Sequence, residues 1–134
     1  MWFIDQQDIV GDKQKGDCLR AVTASYMEKK IEDVPHFAEE YQASWLDHWS
    51  AWMADRGVRI KPRQGSDRPA CLYFAYGLSP RSATNGGLPH IVIMEGQKLV
   101  HDPHPSRAGL VDITHVYLPC PTLLTRILWF FGIR

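Results

Sequence analysis

The chain has 134 residues, 45% of them hydrophobic, and its 15 basic side chains balance 15 acidic ones at a formal net charge of +0. That length and apolar content fit one folded domain, residues 1–134, with a single core. The neutral balance excludes the broad basic surface of a nucleic-acid binder, so no nucleic-acid partner is expected.

The chain opens on Met1-Trp2-Phe3-Ile4-Asp5, with no basic stretch leading into a long apolar run, so no secretory signal is expected. Residues 5–17 are polar, with glycines and glutamines, and read as a loop. From Cys18 to about Lys29, Leu19, Val22 and Tyr26 recur at helical spacing among the small residues Ala21, Ala24 and Ser25. That pattern predicts an amphipathic helix able to pack closely. Val34-Pro35 breaks the helical run, because a residue before proline avoids helical backbone. Trp45, Leu46, Trp49, Trp52 and Met53 fall on one helical face, the strongest periodic signal in the chain, and Gly57 is placed to stop that helix.

Beyond Gly57 the pattern turns to strands. Val58 and Ile60 alternate with basic residues, residues 61–69 read as a loop, and the aromatic-rich run Cys71 to Tyr76 reads as a strand. Residues 77–89 form a second loop leading into His90, and further strands are expected at about 90–95, 98–102 and 111–118. Helices first and an antiparallel sheet afterwards predict an α+β class. The apolar run Leu123 to Arg134 is too short to span a bilayer, so no stable membrane insertion is expected. A terminal element packed on the core is the simpler expectation for it, and membrane association the rival.

The three cysteines, Cys18, Cys71 and Cys120, are widely spaced and form no CxxC pair, which points to a reducing, cytoplasmic setting. Cys71 and Cys120 read as small buried hydrophobes. Cys18 differs, because the polar Gly16-Asp17 step precedes it and a small-residue helix follows. A thiol there sits where free backbone N–H groups and the helix dipole favour negative charge, as a nucleophile requires. Such a nucleophile needs a histidine to take its proton and a third group to hold the imidazole. Of the six histidines, His90 sits where a glycine-rich loop enters an apolar strand. His36, His48, His101, His104 and His115 read as surface or hydrogen-bonded core residues. His90, His101, Asp102 and His104 could supply metal ligands, but His101 and Asp102 are neighbours that point to opposite faces of a regular strand. No HExxH or cysteine-pair spacing accompanies them, so neither metal nor cofactor is expected.

With these motifs in place, the chain resembles papain-like cysteine peptidases, and among them the compact bacteriocin-processing peptidase domains of bacterial exporters. The likeness rests on Asp17-Cys18 opening a helix, His90-Ile91-Val92-Ile93 opening a strand, and Asp102-Pro103 ending the next. With Val34-Pro35-His36-Phe37, Leu78-Ser79-Pro80-Arg81 and the segment His101 to Ser106, it looks closer still to small uncharacterised phage and bacterial proteins. The resemblance implies a thiol hydrolase acting on a protein or peptide substrate, with Cys18 as nucleophile, His90 as base and acid, and Asp102 orienting His90. It also implies an oxyanion-hole glutamine. Asp12 stands where papain-like enzymes carry it, which leaves Gln7 and Gln14 as candidates, with Gln6 behind them. Leu19 stands where the exporter domains commonly carry glycine. A deamidase or acyltransferase on the same triad, or a non-catalytic binding protein on the scaffold, are the alternatives.

One register condition follows. A regular hairpin with Gly96-Gln97 as its loop pairs Glu95 with Lys98 and sends His90 and Asp102 to opposite faces. The triad therefore requires a three-residue loop, pairing Met94 with Lys98, or an equivalent bulge.

Overall fold

A computed structural model describes residues 1–7, 16–81 and 88–134. It is an α+β fold in which helices pack on a five-stranded antiparallel sheet.

Helix α1 (Cys18–Met27) begins at the cysteine and is closed by Glu28, whose left-handed backbone (φ 53°) lets its N–H reach the carbonyls of Ala24 and Ser25. Its pattern suggested one apolar face, but Leu19 and every residue from Ala21 to Met27 are buried. The small side chains are what permit this. Neighbours approach from several sides, and the polar members bond inward: Thr23 and Ser25 donate to the carbonyls of Leu19 (2.7 Å) and Ala21 (2.8 Å). After a single 3-10 turn at Ile31–Asp33, the short helix α2 (Phe37–Tyr41) forms where the sequence suggested only a break. His36 caps it, its Nδ1 accepting the Glu39 N–H at 3.3 Å. Arg20 pins the intervening turn to α1, its Nε–H donating to the carbonyls of Ile31 and Val34.

Helix α3 (Trp45–Asp55) buries Trp49 and Met53 completely, as its apolar spacing predicts. The Trp49 indole packs edge-on against Phe74 and Tyr117 at 5.2 and 5.6 Å between centroids, and its N–H donates to Thr23 at 3.0 Å. Gly57 ends the helix region with φ +82°. A Cβ there would lie 1.9 Å from the Thr125 hydroxyl, so both conformation and space demand glycine.

The strands are β1 (Val58–Gln64), β2 (Leu72–Ser79), β3 (Leu88–Glu95), β4 (Lys98–His101) and β5 (Asp112–Pro121), in the order β1-β5-β2-β3-β4. Strand β1 runs into the segment expected as a loop and carries Pro62. The proline is tolerated because β1 is an edge strand, where a missing N–H need not break a ladder. Strand β2 likewise extends through Ser79, into the other expected loop. One sheet face joins Phe74, Ile91, Ile93 and Tyr117 to the helices. The other gathers Tyr73, Ala75, Val92 and Val116, with Met94, Leu99 and Leu110 against them. Helix α4 (Leu123–Phe130) follows β5, capped by the Thr122 hydroxyl accepting the Thr125 N–H at 3.2 Å. Among the described residues, no helix is long and apolar enough to cross a membrane.

Trp49 joins α1, α3 and the sheet, so truncating it leaves a large void and strips Thr23 of a partner. Trp49→Ala is expected to cost about 3–5 kcal/mol. Cys18→Ala should leave the urea midpoint close to that of the parent, and urea unfolding of both variants checks the contrast.

Candidate functional site

Asp102 is 1% exposed, so its charge needs compensation from the protein. Its Oδ1 accepts from His90 Nε2 at 2.7 Å and from the His104 backbone N–H at 2.9 Å. Its Oδ2 accepts from the Gly109 N–H at 2.7 Å. His90 is also 1% exposed, and Cys18 stands near enough to it to raise its pKa. With Nε2 held by Asp102, Nδ1 is the ring nitrogen left for the sulfur. Cys18 is the first residue of α1 and is half-buried. The imidazole and the carboxylate named from the sequence are therefore hydrogen-bonded, with the thiol beside the imidazole.

The β3–β4 hairpin meets the register condition by a bulge. Glu95 pairs with Lys98 and Met94 with Leu99 around a two-residue turn, and the ladder then shifts so that Ile93 pairs with His101. The three-residue loop with Met94 opposite Lys98 is thus not formed, and Val100 is the extra residue instead. The bulge also sets which way its neighbours face. Val100 joins Ile91 and Ile93 on the helix-bearing face, while Leu99 joins Val92 and Met94 on the other. Past the bulge, Asp102 returns to the His90 side.

Burial is the largest influence on both members of the pair, and in each it is overcome. Burial would lower the His90 pKa, but the hydrogen bonds to Asp102 and Cys18 and the charges of both raise it to about 9. Burial would raise that of Asp102, but the His90 bond, the backbone N–H groups of His104 and Gly109 and the His90 charge bring it down to about 2. A raised histidine stabilises the fold fully below its ordinary 6.5 and loses that contribution as pH rises through about 9. A lowered aspartate stabilises fully above its ordinary 3.8 and loses that contribution as pH falls through about 2.

Two groups that sequence reading did not single out hold this arrangement. Arg107, in a left-handed backbone conformation (φ 54°), donates to the Asp102 carbonyl at 2.6 Å and forms a two-pronged pair with Asp5 at 2.5 and 2.8 Å. Gly109 (φ 72°) turns its N–H onto the carboxylate. A Pro, Ser and Gly-rich loop after Asp102 was the only signal for either. Asp5 belongs to an N-terminal strap. The Ile4 N–H donates to Ser25 Oγ at 2.9 Å, and the Ile4 carbonyl accepts from His101 Nε2 at 2.7 Å. The Gln6 N–H donates to the Pro103 carbonyl at 3.0 Å. Of the candidate glutamines, Gln7 is exposed at a bend, Gln6 is buried one residue's bond from Asp102-Pro103, and Gln14 lies outside the described residues.

The other histidines are engaged elsewhere. His101 meets Phe3 edge-on, His48 stacks on Tyr41 and His115 on Tyr117. His104 lies edge-on to His90 at 6.5 Å between centroids, with Nδ1 turned to Ser106, and burial and nearby Arg81 lower its pKa. Among the described residues, no three His, Cys, Asp or Glu side chains converge as metal ligands. Cys71 and Cys120 are not the buried hydrophobes expected: Cys71 is exposed beside β2 and Cys120 is half-buried in β5, a strand next to the sheet edge.

Comparison of the chain with protein-family models, with curated proteins and with solved structures finds no match.

Access alone would make Cys71 the fastest thiol to label, since it is the most exposed of the three. The His90 partner reverses that order. Iodoacetamide near neutral pH is expected to modify Cys18 first, and His90→Ala should slow that site alone, as peptide mass mapping over a time course would report.

Proposed function

We propose that this chain is a thiol hydrolase on a papain-like scaffold, acting on a peptide, isopeptide or related acyl bond. The observation that carries the reading is one buried histidine hydrogen-bonded to a fully satisfied carboxylate, with a helix-start thiol beside it. The chain order of the three residues and the placing of helices before an antiparallel sheet support the papain-like reading.

In this mechanism His90 takes the Cys18 proton and the sulfur attacks the substrate carbonyl carbon. The tetrahedral oxyanion is met by the Cys18 backbone N–H, one of the donors without a partner inside the helix. A glutamine amide is the second donor, and burial beside Pro103 favours Gln6 over the exposed Gln7. Collapse breaks the acyl bond, and His90 returns its proton to the leaving group. Water, deprotonated by His90, then attacks the thioester and frees Cys18. Asp102 holds the ring through Nε2 and stabilises the imidazolium, the role a third residue plays in such triads. A deamidase or acyltransferase would share every step up to the acyl-enzyme and differ only in leaving group or acceptor. The free thiols accord with a reducing, cytoplasmic setting.

An activated acyl ester tests the first half-reaction. The wild type is expected to show an acyl adduct on Cys18 by intact mass and peptide mapping, and Cys18→Ala none. His90→Ala should lose most of the rate and His101→Ala keep it. Acylation spread over Cys71 and Cys120, or indifferent to His90→Ala, would leave a non-catalytic scaffold as the better reading.

The pH dependence gives a second test. Protonation of the leaving group needs the imidazolium, so turnover should fall as pH rises through about 9. Removing the carboxylate removes interactions that raise the His90 pKa. Asp102→Asn should therefore move the alkaline limb of the acylation profile to lower pH as well as reduce its height.

A further inference from the structure

Helix α4 is inverted. Its buried residue is Thr125, and its outward side is apolar: Leu123 is 73% exposed, Leu124 66%, Phe130 84% and the following Phe131 71%. Trp129 alone among its large side chains turns back to the body, edge-on to Tyr26 at 5.8 Å and beneath the Arg134 guanidinium at 4.0 Å. Water-facing helices normally carry the opposite arrangement, so an apolar face of this kind marks a contact surface.

The surrounding charge says what kind of surface. No Asp or Glu occurs from residue 113 to 134. Arg126 is exposed on the helix itself, and exposed Arg56 and Arg59 stand near its start, since Thr122 bonds the Gly57 carbonyl and Arg59 pairs with Cys120. Arg126 and Arg59 have no ion-pair partner among the described residues, and Arg56 lies over the Trp52 ring. We propose that the outward face of α4 lies in the headgroup region of an anionic lipid surface, with Leu123, Ile127, Phe130 and Phe131 inserted and Arg126 and its neighbours on the lipid phosphates. An eight-residue helix suits this position and not a span, being about 12 Å long. The whole chain is neutral, so the attraction is local to this rim. A second copy is the weaker occupant, because face-to-face packing would set the two cationic rims against each other. The proposal stands apart from the thiol chemistry.

Sedimentation of the full chain with phosphatidylcholine vesicles, with and without phosphatidylglycerol, tests it. Binding is expected on the anionic vesicles, weaker on pure phosphatidylcholine, and reduced by added salt. The Phe130→Ser, Phe131→Ser pair should lower partitioning about tenfold or more. Arg126→Gln should lower it about fivefold on anionic vesicles and little on neutral ones. These side chains are exposed, so the thermal midpoint should not move and binding loss cannot be put down to unfolding. No binding to anionic vesicles, equal binding to both kinds, or indifference to the double substitution would overturn the proposal. So would a dimer in sedimentation equilibrium that Phe130→Ser dissociates.

Discussion

A carboxylate sealed from water must be surrounded by donors, and Asp102 sets that demand on everything near it. An unpaired buried charge costs several kcal/mol, enough to consume much of a small domain's stability. The loop after β4 therefore closes on the carboxylate with two backbone N–H groups, and the imidazole of His90 closes the third side. Satisfaction of that charge fixes the ring plane, and the ring plane fixes which nitrogen meets Cys18. The left-handed backbone at Arg107 is a local cost of this loop, and the one at Gly109 is free because glycine has no Cβ.

Helix α1 has two duties that its composition reconciles. Its middle and end must be buried against the strap, α3 and β3, which favours Ala, Val, Ser and Thr over long side chains. Its first residue must bring the Cys18 thiol beside His90. Thr23 and Ser25 satisfy their own hydroxyls within the helix, then accept bonds from Trp49 and Ile4. The core and the candidate site thus share one element, with Cys18 at its tip only partly buried.

Periodicity placed Cys18 at a helix start, His90 in a strand and Asp102 as the last residue of the next, which in the structure ends one residue earlier, at His101. Those are local properties, and local pattern carries them. Register is also legible as a condition, since the parity of residues between His90 and Asp102 decides whether they share a face. The residue that absorbs the extra position was not legible. Leu99 and Val100 are both apolar, so alternation gives no hint that Val100 bulges. Arg107 and Asp5 were invisible for another reason: they lie 102 positions apart, and no period links them. Pro62 suggested a loop because its edge position depends on strand order, a property of the whole sheet. The apolar end of the chain read as core, since hydrophobicity alone does not say which side of a helix faces inward.

The strap has a consequence for the order of events during synthesis. Its residues leave the ribosome long before the groups that hold it: His101 is 97 positions from Ile4, and Arg107 is 102 from Asp5. Contacts of such separation form late, after the loop between them has been closed. Cys18 therefore emerges well before His90 and Asp102, with neither imidazole nor carboxylate yet made to meet it. Nascent chains crowd together on a polysome, where an active nucleophile would meet its siblings. On the proposed reading, the thiol gains its imidazole and carboxylate only once synthesis has passed Gly109.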